Sequence, residues 1–314
     1  MHRPAHPLIP VTLLALGLLA ACGAEGGKSS DDGADGGSGD GADGAEGDTG
    51  GDGGDGGDGG DGGDLVLPPY SAGTCPAIVD GTNSDFPTGD TTRSFEVVLP
   101  ADPVGAPVVF GWHWLGGNAK QAIRYLDLEA YADEHGAIVI APQSDGYAYE
   151  WHFLDAPAGN PDLLLFEDLL ACVGQQYAID TDRVYAIGMS AGGLWTTYLT
   201  MYEAEWLAAT APFSGGTQAG AYESPAWPLP VLVTWGGPSD TYSGFSFDDS
   251  STYFSTELQA DGSFVVECEH DNGHTIPPGA GAYAWRFFED HPMGVTEAYT
   301  SGLPSDFPDW CRVP

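Results

Sequence analysis

Ser190 offers the clearest chemistry in this 314-residue chain. It lies in Gly188-Met189-Ser190-Ala191-Gly192, a G-x-S-x-G. The pattern alone is weak, because a chain with 47 Gly residues produces it by chance fairly often. Its context adds weight: the apolar run Val184-Tyr185-Ala186-Ile187 leads directly into it, and a helical run over 191–202 follows. A nucleophile elbow needs strand, tight turn and helix in that order. The turn tolerates only small residues two before and two after the serine, and the helix N-terminus turns N–H groups and positive dipole toward the reacting oxygen. The chemistry implied is nucleophilic acyl transfer by a serine hydroxyl. An ordinary Gly-rich strand–helix turn is the bland alternative.

A serine hydroxyl needs a base, and the base needs an acid to orient it. Of the eight His residues, His2 and His6 fall in an N-terminal leader, His135 ends a surface helix and His291 precedes Pro292. His274 sits in a Gly-containing loop just after the last apolar strand, in His270-Asp271-Asn272-Gly273-His274-Thr275, and is the expected base. His270 is still at the strand end and is expected to point away. A metal site built from His270, Asp271 and His274 is disfavoured, since an H-x-x-x-H pair wants a helix. An elbow serine takes its partners in the chain order Ser…Asp…His, which confines the acid to the span between Ser190 and His274. Asp240 closes Trp235-Gly236-Gly237-Pro238-Ser239-Asp240, a buried strand running into a tight turn, and is the expected acid. Asp248 and Asp249 are expected to cap a helix beginning near Ser250. For the oxyanion, Phe110-Gly111-Trp112-His113-Trp114-Leu115-Gly116-Gly117-Asn118 reads as a strand breaking into a His-x-x-Gly-Gly turn. Its donor would be the Leu115 backbone N–H, paired with that of Ala191 after the nucleophile. His113 is then a structural residue that holds the loop.

Alternating strands and helices must carry these loops. Residues 93–99 alternate polar and apolar and predict an early, exposed strand. Runs at 107–112, 137–141, 184–187, 208–211, 231–234 and 264–267 are short and continuously apolar, as buried parallel strands tend to be. Helical spacing covers 118–135, with Gly136 as the stop, and 162–177. The pattern argues one domain over 65–314 with a mostly parallel sheet covered on both faces.

The N-terminal 64 residues differ from the rest. Residues 8–21 form a 14-residue apolar run, too short to span a bilayer and right for a secretory signal. It ends Leu19-Ala20-Ala21-Cys22-Gly23, which resembles the bacterial lipobox and implies a signal peptide over 1–21 and a lipidated Cys22. An ordinary signal peptide is the alternative. Residues 22–64 are a Gly/Asp-rich tether with no apolar residue large enough to build a core, so they are expected to be disordered. With Cys22 committed, Cys75, Cys172, Cys268 and Cys311 remain. An even number in an exported chain predicts two disulfides, with three connectivities open. The body over 65–314 holds 33 acidic and six basic residues, a net charge of −27, which excludes nucleic-acid phosphate as a partner.

The stretches 109–118, 180–193, 231–240 and 273–277 resemble the secreted α/β-hydrolase esterases of the polyhydroxybutyrate depolymerase and feruloyl esterase group. That resemblance implies an α/β-hydrolase fold, with Ser190 as nucleophile, Asp240 as acid and His274 as base. There are departures from the group's pattern. Trp235-Gly236 stands where His-Gly is usual, Ile276-Pro277 where Trp-Pro is common, and Trp114 where many members have Gly. These bear on substrate choice rather than on the triad. The implied activity is a serine carboxylic ester hydrolase on extracellular esters: feruloyl or acetyl esters of polysaccharide, or polyhydroxyalkanoate. No metal or organic cofactor is expected. The chain is expected to act as a monomer that meets the membrane only through its N-terminal lipid, in the cell envelope, at the outer membrane or cell surface. A serine peptidase on the same fold and a non-catalytic surface-binding lipoprotein are the competing readings.

Overall fold

The computed structural model describes residues 66–295 and 298–314. The signal peptide expected over 1–21, Cys22 and the tether over 22–64 lie outside the described residues. The chain runs β1 (Gly81–Thr88), β2 (Thr91–Val98), β3 (Val108–Trp112), α1 (Ala119–Tyr125), α2 (Leu128–His135), β4 (Ile138–Pro142), α3 (Pro161–Tyr177), β5 (Val184–Met189), α4 (Ala191–Tyr202), β6 (Ala209–Phe213), β7 (Val231–Trp235), β8 (Thr241–Tyr242), β9 (Phe245–Ser246), α5 (Phe247–Ala260), β10 (Val265–Glu269), α6 (Ala280–Asp290) and β11 (Cys311–Arg312). One sheet takes the order β1-β2-β4-β3-β5-β6-β7-β10-β11. It is parallel from β4 through β10, with antiparallel β1, β2 and β11 at its edges. This is the mostly parallel, helix-covered sheet of the expected fold class.

Period-two alternation explains why the central strands read as unbroken apolar runs. Val108, Phe110 and Trp112 face one core with Ile138, Ile140 and Val184, while Val109 faces a second core with Val139, Tyr185 and Ile187. Helices α3, α4 and α5 cover the first face, and α1, α2 and α6 the second. Both faces of the central strands are buried, so both positions of the alternation are mostly apolar, and a polar residue such as Thr210 enters only with a partner, here Thr200 Oγ1 at 2.8 Å.

Three expectations change. The helix expected over 118–135 breaks in two at Leu126-Asp127, where Asp127 takes a left-handed φ of 56°. The start of α6 packs against that break. A Cβ on Gly281 would stand 2.6 Å from Leu126 O, and Tyr131 Oη donates to Gly281 O at 2.7 Å. The helix expected near Ser250 begins at Phe247, and its cap is Ser246, whose Oγ accepts from Asp249 N–H; Asp248 and Asp249 sit in the first turn. Edge strands β1 and β11 were not anticipated. The two expected disulfides pair Cys75 with Cys172, tying the segment before β1 to α3, and Cys268 with Cys311, joining register partners on β10 and β11. Among the described residues no helix is long and apolar enough to cross a membrane.

Candidate active site

β5 ends at Met189 and α4 starts at Ala191, leaving Ser190 alone in the turn at φ 57°, ψ −117°. That backbone costs on the order of 1–3 kcal/mol and persists only where its surroundings fix it. Here packing fixes it. A Cβ on Gly188 would lie 2.3 Å from Gly192 O, and one on Gly192 would lie 2.1 Å from Trp112 O. The two small positions of the motif therefore let the elbow close on itself and against β3.

Three loops at the carboxyl ends of the strands meet over Ser190. Ser190 Oγ lies 2.9 Å from His274 Nε2, and His274 Nδ1 lies 2.7 Å from Asp240 Oδ1. A carboxylate only accepts, so Nδ1 carries the proton and Nε2 is free to accept from the serine hydroxyl. Asp240 is fully buried, and its Oδ2 accepts from Gly236 N–H at 2.8 Å and Ser214 Oγ–H at 2.7 Å. Burial pushes the Asp240 carboxyl up, but hydrogen bonds from His274, Gly236 and Ser214 together outweigh it and hold it below the usual carboxylate range. The acid and histidine loops cross backbone to backbone: Gly273 N–H donates to Gly236 O at 3.0 Å, and a Cβ on Gly236 would fall 1.9 Å from Gly273 O. Phe247 stacks on the His274 ring at 4.5 Å and limits its swing.

All three residues expected from the sequence are thus brought together. His270 is not. Its Nδ1 accepts from Asn272 N–H at 3.2 Å, its ring meets Trp310 edge-on, and burial lowers its pKa. His113 is fully buried; Nδ1 donates to Trp114 O at 3.0 Å and Nε2 accepts from Ser144 N–H at 3.2 Å. Burial pushes its pKa down, so the ring is a neutral strut under the turn after β3. In that turn Gly117 N–H goes to Trp114 O and Gly116 N–H to Glu150 Oε1. The N–H groups of Leu115 and Ala191 have no acceptor among the described residues.

Beside Ser190 and His274 opens a cavity of about 300 Å³, walled by Trp114, Leu115, Tyr125, Met189, Tyr242 and Ile276. Five residues of this site escaped the sequence reading. Ser214, Glu150, Tyr125, Tyr242 and Phe247 carry no motif; Ser214 and Glu150 arrive through fold neighbours, and Tyr242 and Phe247 follow Asp240 in the chain with no spacing that marks them. The apolar wall, the strained serine and the oriented imidazole together suit attack on a carbonyl carbon in a partly dehydrated site.

No family model matches the chain. It is 26% identical to an oxidized polyvinyl alcohol hydrolase of Sphingopyxis sp., over 72% of this chain and 81% of that protein. It is 30% identical to feruloyl esterase B of Thermothelomyces thermophilus, over 48% of this chain and 54% of that enzyme. The chain thus spans about half the length of that second relative. The crystal structure of native pOPH superposes with a TM-score of 0.62 at 23% identity, covering 76% of this chain and 96% of that one, which shows a shared fold.

Proposed function

We propose that this carboxylic ester hydrolase, a relative of the α/β-hydrolase esterases, cleaves extracellular esters by a Ser-His-Asp acyl-enzyme route. The observation that supports this is the continuous relay from Ser190 Oγ through His274 to Asp240, opening on an apolar cavity. His274 Nε2 takes the hydroxyl proton as Ser190 Oγ bonds to the ester carbonyl carbon. The carbonyl π pair moves to oxygen, where the Leu115 and Ala191 N–H groups receive it. Collapse of that intermediate breaks the bond to the alcohol oxygen, which leaves with the proton from the imidazolium. Water then attacks the acyl carbon, giving its proton to His274, and the acid departs as Ser190 regains its hydrogen. Asp240 keeps Nδ1 protonated throughout.

The substrate classes are feruloyl or acetyl esters of polysaccharide and polyhydroxyalkanoate. The first relative's name adds oxidized polyvinyl alcohol to the set worth testing. Two disulfides fit an extracellular protein. In this reading Cys22 holds the lipid after removal of 1–21, residues 22–64 give the catalytic body reach, and the body works as a monomer.

The test is turnover by the purified chain on methyl ferulate, acetylated xylan, short nitrophenyl esters, polyhydroxybutyrate and oxidized polyvinyl alcohol, with Ser190→Ala as control. Ester turnover lost in the alanine variant is expected. Full turnover by Ser190→Ala, or cleavage of peptide amides with no ester cleavage, would overturn the reading.

A further inference from the structure

The turn after β3 spends its polar groups selectively. Trp114 O accepts from Gly117 N–H at 2.8 Å and from His113 Nδ1–H at 3.0 Å, and His113 O accepts from Trp151 Nε1–H at 2.8 Å. Gly116 N–H donates to Glu150 Oε1 at 2.8 Å. That leaves the Leu115 N–H without an acceptor among the described residues, at the cavity edge beside Ser190.

Glu150 reaches this turn from 34 residues along the chain, in the segment between β4 and α3. Its backbone sits at a left-handed φ of 69°, in a tight turn closed by its own N–H on Tyr147 O at 2.9 Å. A glutamate holds that conformation only where its surroundings over-determine it. Its second oxygen accepts from Ser144 Oγ–H, and Ser144 N–H donates to His113 Nε2. One carboxylate therefore grips Gly116 directly, and through Ser144 it abuts the ring that grips Trp114.

We propose that Glu150 is a positioning residue for the oxyanion hole. By engaging the Gly116 N–H it leaves Leu115 as the donor and fixes the peptide between them. Gly116 stands at φ 73° and has no side chain to resist rotation. The Leu115 N–H itself lies in the preceding peptide, whose carbonyl Trp114 O is held by Gly117 and His113, so Glu150 fixes Leu115 from its other side. Without the carboxylate the Leu115–Gly116 peptide can turn, and the Leu115 N–H, held from one side only, loses its aim at the developing oxyanion. Nothing in this role touches bound substrate, so the loss belongs to the transition state.

The inference rests on the acyl-transfer reading above, and its test separates the two. Glu150→Asp keeps the charge but withdraws the carboxylate by one methylene, about 1.5 Å. Glu150→Gln keeps the reach, with its oxygen still accepting from Gly116 and its NH2 donating to Ser144 Oγ. Expected on a nitrophenyl ester is a kcat loss of about 10- to 100-fold in the Asp variant, with KM within about threefold. The Gln variant should stay within about threefold of wild type in both constants. A boronic acid that forms a tetrahedral adduct on Ser190 should bind the Asp variant more weakly by the same factor that kcat/KM falls. If Ser190→Ala is inactive while Glu150→Asp turns over at the wild-type rate, Glu150 does not position the hole. A Gln variant as slow as the Asp variant, or an Asp defect confined to KM, overturns it equally. Should Ser190→Ala keep full turnover, the acyl-transfer reading itself fails.

Discussion

Asp240→Asn preserves the size of the side chain and replaces one acceptor oxygen with a donor, and the surroundings decide which. Gly236 N–H reaches Oδ2 at 2.8 Å, and a backbone N–H can only donate. The asparagine oxygen must therefore occupy the Oδ2 place, where Ser214 Oγ also donates at 2.7 Å. Its NH2 is left 2.7 Å from His274 Nδ1 and donates to it. Nδ1 then has to accept, the ring proton moves to Nε2, and an N–H points at Ser190 Oγ across 2.9 Å. A base that already holds a proton there cannot take the serine's. The expected loss is about 10⁴-fold in kcat, or about 5.5 kcal/mol of barrier, with KM nearly unchanged. Steady-state kinetics on a nitrophenyl ester measure it. Proton NMR supplies the structural half: the wild-type chain should show a low-field His274 Nδ1 proton that the Asn variant lacks. Unchanged circular dichroism would establish that the fold survives. An Asn variant that keeps more than a tenth of wild-type kcat would refute the tautomer argument and with it the role of Asp240.

Burial holds the imidazoles of His113, His270 and His291 below their ordinary pKa, so they are neutral in the folded chain, whereas the unfolded chain protonates them near pH 6.5. Depressed folded values mean their stability contribution is complete above about pH 6.5 and is lost as pH falls from there toward the folded values. Melting temperature should therefore drop as pH falls below about 6.5, and a flat profile would show that these rings are not linked to folding. Five of the six bases in the body already pair with carboxylates, namely Arg93, Lys120, Arg183, Arg286 and Arg312, which leaves a large acidic excess facing itself. Sodium chloride raised from low to near-molar levels, where the Debye length shrinks from about 10 Å at 0.1 M to about 3 Å, should raise the melting temperature; a fall would show that self-repulsion is negligible. Metabolic labelling with a fatty acid should mark the full chain and fail in Cys22→Ser, while unlabelled wild-type protein would end the lipid-anchor proposal.

Much of the candidate site was legible in the sequence because its logic is local. An elbow needs Gly188 and Gly192 around Ser190, since any Cβ there strikes backbone, and that requirement prints a motif. Continuous apolar runs announced β3 to β7 because both faces of those strands are dry. The loop after β10 announced His274, and the turn after β7 announced Asp240.

What stayed hidden depends on sheet neighbours and on helix packing. Helical spacing continues through Leu126-Asp127, so the chain alone reads one helix; the break exists because α6 presses Gly281 against it. Four cysteines leave three pairings open until the register sets Cys268 opposite Cys311. Ser214 holds Asp240 from the end of β6 because β6 lies beside β7. Glu150 meets Gly116 because the segment after β4 returns beneath the turn after β3. The sequence determined which residues could react, because strained turns and dry strands restrict composition locally. Tertiary structure alone decided which further groups, such as Ser214 and Glu150, hold them in place, because one hydrogen bond between distant segments leaves no spacing in the chain.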